Sequence, residues 1–316
     1  LGTDLNWENT TGGRVDGSPE MGDYALFASL NWQATQRLVV QPAMRYGYNT
    51  QFSSPIVPSI NFQYKVDEKW QLRLSLANGF RAPSLKEMYL DFVDINHNIT
   101  GNPNLTPENS RHAHLYFTWN ETFSETQQLK IEPSLFYNQL KNMIALTQVQ
   151  GTEYTYLNID EYTTFGGKIQ LSYNIHPDFN FKAGYAYLAY SNRFQSEDSP
   201  ENFQYSPEFT ASFNYWRAQQ KFRFNVIYKY TGAVPRFVVV EDGTATQSLI
   251  PSYNLLDVTA SYGLWKNRIL FSAGVKNLFD VTNLTVANGG GGVHSGGDFS
   301  AVSWGRSYFL SLKVSM

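Results

Sequence analysis

The sequence contains no cysteine, which excludes a disulfide scaffold, a thiolate zinc site and an iron–sulfur cluster. Charge is scarce as well. Only 16% of the 316 residues are Asp, Glu, Lys or Arg, where a soluble domain usually carries about 25%. The 24 basic and 27 acidic residues leave a formal net charge of -3, so there is no basic field to attract nucleic acid. No apolar run approaches the roughly 18 residues that a spanning helix needs, and the mean hydropathy is below zero. Together these exclude a helical membrane protein but not one built of strands. We find no Ser/His/Asp set at recognisable spacing, no His-x-x-x-His helix and no phosphate-cradling glycine loop, so the chain is not read as an enzyme. It has neither an initiating Met nor a signal peptide at Leu1, and we expect a processed chain or part of a longer one.

What the sequence has in plenty is aromatic residues, 16% of the chain, and a period of two. Tyr24, Leu26, Ala28, Leu30 and Trp32 fall on alternate positions, as do Leu38, Val40, Pro42, Met44, Tyr46 and Tyr48 against Gln41 and Arg45. Leu72, Leu74 and Leu76 alternate with Gln71, Arg73 and Ser75, and Phe222, Phe224, Val226, Tyr228 and Tyr230 with Arg223, Asn225 and Lys229. Such alternation sends one set to each face of a strand. A soluble sandwich also alternates, but its strands are usually short. Here the segments run about ten residues, the length of a tilted membrane strand. Their ends carry Tyr, Trp and Phe, as interfacial girdles do, and the Gln, Asn, Arg and Lys of the other face suit a wet lumen. The expected fold is all-β, a transmembrane antiparallel β-barrel.

Connections alternate in length too. Short ones fall near 34–36, 67–69, 122–126, 176–178, 218–220 and 265–267. Longer polar ones cover 10–22, 49–56, 82–109, 141–161, 190–206, 232–252 and 280–303. Short turns on one side and long loops on the other is the outer-membrane arrangement, with the long loops outside the cell. About fourteen strands are expected, starting at Leu1, Thr3, Leu5 and Trp7. Glycine concentrates between Gly289 and Gly297, and nothing marks a domain boundary.

Two stretches are more specific. Gly79-Phe80-Arg81-Ala82-Pro83-Ser84-Leu85-Lys86-Glu87-Met88-Tyr89 is followed by Gly101-Asn102-Pro103-Asn104-Leu105-Thr106-Pro107-Glu108. Together they resemble the paired boxes of TonB-dependent outer-membrane receptors. Gly274-Val275-Lys276-Asn277-Leu278-Phe279-Asp280 and the final Gly305-Arg306-Ser307-Tyr308-Phe309-Leu310-Ser311-Leu312 are similar to further motifs of that family.

The resemblance implies bacterial outer-membrane localisation, contact with outer-membrane lipid, a TonB complex as partner, and a barrel of roughly 22 strands with an occluded lumen. Residues 1–316 are then expected to be the C-terminal portion of that barrel, without the N-terminal plug and TonB-engaging region. In the haem-uptake branch, a histidine between the boxes ligates haem iron, and this role passes to His97. The metal is haem iron only. Haem, free or from a carrier protein, is the transported ligand, with no intrinsic cofactor. A neutral imidazole suits such ligation on chemical grounds also, and Tyr89 is an alternative ligand.

Phe80, Tyr89 and Phe92 are candidate apolar contacts for the macrocycle, and Arg81, Lys86 and Arg111 are candidate partners for its propionates. Arg81, Ala82, Pro83, Asn102, Pro103, Asn104 and Leu105 also read as loop-supporting architecture, proline fixing φ on entry and exit. His112 and His114 should point into the lumen, either as a relay for haem or as ordinary lining. His294 is a further relay candidate, and His176 has no assigned role. Two other readings stay open: a receptor for a ferric siderophore or corrinoid, and a complete passive fourteen-stranded pore.

Overall fold

Apolar alternation becomes one continuous face because strand pairing places like beside like. The computed structural model describes residues 1–15, 17–93, 98–150, 153–193, 203–217, 221–239, 245–265, 268–285 and 299–315. Among these, seventeen segments join one sheet, of which Trp32–Gln33, Asp91–Val93 and Asn98–Thr100 are short. The other fourteen form the wall. They are β1 (Gly2–Asn9), β2 (Glu20–Ser29), β3 (Leu38–Asn49), β4 (Ile56–Lys65), β5 (Trp70–Arg81), β6 (Glu108–Thr122) and β7 (Gln128–Gln150), then β8 (Glu153–His176), β9 (Phe179–Arg193), β10 (Gln204–Arg217), β11 (Phe222–Thr231), β12 (Tyr253–Leu264), β13 (Ile269–Lys276) and β14 (Ser307–Val314). Each pairs antiparallel with its sequence neighbour.

The register shows the two faces. Pro42 opposes Ile60, then Leu76, Ala113, Tyr137, Phe165, Ala189 and Tyr205 across successive strands. Further round, Phe213, Val226, Val258, Val275 and Tyr308 continue it. Large apolar side chains on this face are open to the surroundings: Met44, Tyr46 and Tyr48 are 52%, 59% and 61% exposed. In water this would be a severe liability; in a bilayer it is the contact surface. The other face is polar. On it Asn174, Asn180, Asn214 and Asn225, from four adjacent strands, are joined amide to amide. Between the two edge strands, backbone donors and acceptors are satisfied strand to strand, as a sheet that crosses lipid requires. Among the described residues no helix is long and apolar enough to span a membrane.

Apart from 82–109, which holds a short helix and a small ladder, the structure departs from the sequence reading in three of the long connections. Within 141–161, expected as a loop, residues 141–150 and 153–161 are strand: β7 has 23 residues and β8 has 24. Crossing a bilayer takes about 9–11, so this hairpin projects far beyond it. The segment 232–252 carries a ladder of its own, Val234–Val239 against Ala245–Ile250. Asn283–Thr285 and Phe299–Ala301 likewise pair within 280–303. In each case extended polar chain pairs outside the membrane, where the hydrophobic alternation fades.

Among the described residues, β1 pairs only with β2 and β14 only with β13. The fourteen strands therefore form an open sheet, not the closed fourteen-stranded pore entertained above.

Candidate ligand-binding site

The site is built where β5 ends. Pro83 is fully buried and supplies no N–H, so the chain leaves the ladder without stranding a donor. Ser84 then caps a short helix, α1 (Leu85–Tyr89). Its Oγ accepts from the Glu87 backbone N–H at 3.3 Å, while the Glu87 carboxylate accepts from the Ser84 backbone N–H at 2.7 Å. This reciprocal capping box satisfies donors at the helix start. The helix stops at Leu90, which turns extended and leads into Asp91–Val93.

The second box folds back on this helix. Gly101 passes so close that a Cβ would lie 2.6 Å from the Met88 backbone, so only glycine fits. The N–H of Gly101 donates to the Leu90 carbonyl at 2.6 Å and that of Asn102 to the Glu87 carbonyl at 2.9 Å. Asn102 Oδ1 accepts from the Asn104 N–H at 3.0 Å, a local turn, and its Nδ2 donates to the Tyr156 carbonyl at 2.9 Å. Leu105 is thereby driven into a cluster with Met21, Leu85 and Met88, flanked by Phe52, Ala82, Tyr89, Ile144 and Tyr156. A fully buried leucine or methionine is worth roughly 1.5–3 kcal/mol, so this small core can hold the two boxes together.

Arg81 is the clamp between them. Its Nε and Nη2 each donate to the Glu108 carboxylate at 2.7 Å, and Nη1 donates to Glu87 at 2.9 and 3.0 Å. The paired carboxylates hold its guanidinium above its usual range. Burial pushes the Glu87 carboxyl up, but hydrogen bonds from Arg81 and Ser84 outweigh this and leave it below the ordinary carboxylate range. Glu108 also accepts from the Ile144 N–H at 2.7 Å. Asn158 fastens the same layer: its Nδ2 donates to the carbonyls of Thr106 and Asn142 at 2.9 and 2.7 Å.

Two further segments lock on. Asn98–Thr100 runs parallel to Glu153–Thr155 of β8 and antiparallel to Asp91–Val93. Val15 bridges to Leu90, and the Arg14 guanidinium lies 4.3 Å from the Phe92 ring centroid. The first loop, the box loop and the projecting β7–β8 hairpin are thus one interlocked layer. A separate turn is held by the third motif, where the backbone N–H of buried Asn277 donates to the Asp257 carboxylate and its Nδ2 donates to the Val281 carbonyl, each at 2.8 Å.

The candidate residues are not all brought together. Arg81, Ala82, Pro83, Asn102 and Leu105 are inside the layer; Lys86 is exposed on α1, Tyr89 flanks the small core, and Phe92 sits under Arg14. His97 lies outside the described residues, as does His294. Its flanks are described: Val93 and Asn98 pair with each other, so residues 94–97 join two paired strands. Phe80 and Arg111 lie on β5 and β6 themselves. Phe80 opposes Asn109, and Arg111 opposes Asn78 and Gln139, in the positions that continue the apolar face. Strand alternation turns them away from the polar side.

His112 and His114 take the polar face, opposite Ala77 and Ser75. His112 hydrogen-bonds Asn138, whose Nδ2 donates to Thr164 at 3.1 Å. His114 stacks on Tyr116 at 3.6 Å between centroids and stands edge-on to His112 at 5.7 Å. His112 and Tyr116 line a mixed concavity of about 470 Å³ with Gln41, Asn61, Gln63 and Arg73 and the apolar Val39, Phe62 and Leu74. Among the described residues no group of three or more His, Asp or Glu could hold a metal ion.

Sequence reasoning passed over Glu87, Glu108, Asn158 and Arg14. The Ser84-x-x-Glu87 spacing was a legible capping signal; Asn158 and Arg14 offered none.

Comparison with known proteins agrees with this architecture. The family model described as TonB dependent receptor-like, beta-barrel matches residues 2–278. The iron-regulated outer membrane virulence protein of Vibrio cholerae is 25% identical over 313 residues, covering 92% of this chain and 44% of that protein. The heme/hemopexin utilization protein C of Haemophilus influenzae is 26% identical over 280 residues, covering 78% and 38% respectively. The crystal structure of the siderophore receptor PirA from Pseudomonas aeruginosa shares the fold with a TM-score of 0.66 at 16% identity, over 98% of this chain and 50% of that one. The chain spans half the length of these relatives or less.

Proposed function

The chain belongs to the TonB-dependent receptor β-barrel family, and from that premise we propose that it forms the wall and extracellular mouth of an importer that takes up haem. The family resides in the bacterial outer membrane and consists of receptors and transporters, not enzymes. In this reading TonB drives transport through parts of the receptor outside these 316 residues. Haem, free or handed over by a carrier protein, docks at the interlocked extracellular layer.

The observation that carries the reading is the pairing around residues 94–97. Val93 and Asn98 pair with each other, and Asn98 also pairs with Glu153 of the projecting hairpin. His97 is the residue next to Asn98, so its attachment point is tied to a two-stranded support. His97 is the axial ligand, as a neutral imidazole. Tyr89 and Phe92 offer apolar contact and Lys86 a cation for a propionate. Arg81 instead spends its donors on Glu87 and Glu108. His112 and His114, on the polar wall, stand where haem would pass after release. A relative of this chain is named for heme and hemopexin utilization.

The competing ligand class is a ferric siderophore or corrinoid, which needs no histidine at the mouth. An equilibrium titration of the complete receptor separates the two. Haem should saturate one site with a shifted Soret band that excess ferric siderophore or corrinoid does not reverse. Saturable siderophore or corrinoid binding with no Soret change would sink the haem reading.

A further inference from the structure

The membrane-facing side carries a groove that the transport reading leaves unused. It crosses β2 to β7 and encloses about 730 Å³. Small or flat residues, Ala28, Pro42, Pro58 and Ala113, line it beside the larger Met44 and Tyr137, so we take the small ones as its floor. The register explains the depression. Ala28, Met44 and Pro58 lie in one row, and Pro42, Ile60, Leu76, Ala113 and Tyr137 in the next. Pro42 and Pro58 sit inside β3 and β4, although proline is normally confined to edge strands because it removes a ladder donor. Two such losses at neighbouring points of adjacent strands coincide with the floor of the groove. At the same place β2 leaves its regular pairing, Ser29 ending the strand and the Leu30 N–H donating to the Pro42 carbonyl at 3.0 Å.

The end of the groove nearest the loops is polar. Asn78 and Arg111 line it and oppose each other near the upper ends of β5 and β6. Arg111 is exposed, and among the described residues no carboxylate pairs with it. The nearby acidic group that faces this side, Glu161, is held by Gln139 at 2.7 Å. A cation on a lipid-facing strand is tolerated near the interface, where its head reaches the headgroup layer.

We propose that this groove is a binding site for an anionic membrane lipid, one acyl chain lying along Ala28, Pro42, Pro58 and Ala113 with its phosphate at Arg111. The occupant is a lipid because the groove opens on the apolar face, where free phosphate does not dissolve. It is anionic because an exposed guanidinium without a carboxylate partner closes the polar end. Nothing in this proposal depends on which substrate the receptor carries.

The test is lipid retention by the complete receptor in nanodiscs, read by native mass spectrometry. Dioleoyl phosphatidylglycerol and dioleoyl phosphatidylcholine share acyl chains and differ in net charge. Wild type should retain the glycerol lipid preferentially. R111Q should lower that retention about five-fold, the change that ~1 kcal/mol per basic residue at a charged surface corresponds to, and leave phosphatidylcholine unaltered. R111K should keep most of it, and Ala113→Trp, which fills the floor, should lower retention of both lipids. Heat-modifiable gel migration reports folding; if R111Q does not fold, Asn78→Asp places a repelling carboxylate beside Arg111 and must lower glycerol-lipid retention alone. Unchanged retention in the charge variant, equal loss of both lipids there, or no effect of Ala113→Trp overturns the proposal.

Discussion

Arg73 and Leu74 are neighbours on β5, yet one faces the polar side and the other the apolar side of a wall in which few side chains are buried. A short distance above, Leu85, Met88 and Leu105 are only 2–3% exposed. The wall is held by its backbone ladder and by two solvents, lipid outside and water inside. The layer formed by the two boxes is a miniature globular protein, held by apolar burial, capping and one arginine between two carboxylates. The difference teaches that this molecule keeps its core outside its membrane part, where loops need a shape of their own.

Perturbations of the core should act on the layer alone. Leu105→Ala removes a buried leucine from the small core, and about 2–5 kcal/mol of local stability should go with it. Hydrogen exchange would quicken at the amides of 82–107, while heat-modifiable migration of the barrel stays as in wild type. The wall has the converse sensitivity. Leu74→Arg should cost about 2–4 kcal/mol of folding in lipid, measured by urea titration in bilayers. Gln63→Arg, on the polar face beside Arg73, should fold as wild type does. If both arginines are tolerated equally, the two faces have been assigned wrongly.

Arg81→Ala strands Glu87 and Glu108, whose side chains are each 15% exposed. A loss of roughly 1–3 kcal/mol in the layer is expected, read as faster proteolysis of the box loop. Arg81→Lys should recover only part, since an ammonium cannot fork onto both carboxylates. The pH dependence follows from the depressed Glu87 carboxyl. Its contribution is fully present above the ordinary value of 4.5 and is lost as pH falls through the lower folded value. Exchange protection of the layer, relative to the intrinsic rate at each pH, should therefore fall in acid, and E87Q should flatten that fall. The smallest effect belongs to Lys69, whose exposed ammonium pairs with the partly buried Glu121 at 2.8 Å on the turn side, where water still reaches the carboxylate. Lys69→Ala should leave thermal unfolding unchanged.

The wall was legible because lipid and water enforce a strict period of two: positions such as Leu72, Leu74 and Leu76 announce both strand and face. The layer above was not, because its strands are wetted and less regular. Ile144 and Leu146 on β7, and Tyr154 and Tyr156 on β8, do alternate, yet their polar surroundings read as a loop. The boxes were found through resemblance, which marked their positions but not their partners. That Arg81 would meet Glu108, 27 residues away, follows only once the chain has returned along β6. The facing of Phe80 and Arg111 was legible too: counting along β5 and β6 puts them in phase with Leu76 and Ala113, a signal outweighed by their closeness to the box.

In the proposed function, ligand is taken at the mouth by His97. Haem should be titrated into the complete receptor carrying His97→Ala, with His112→Ala as the lumenal control, and the Soret band followed. A weakened and shifted band is expected for His97→Ala and a near-native one for His112→Ala. Unchanged affinity and an unchanged band in His97→Ala would contradict it.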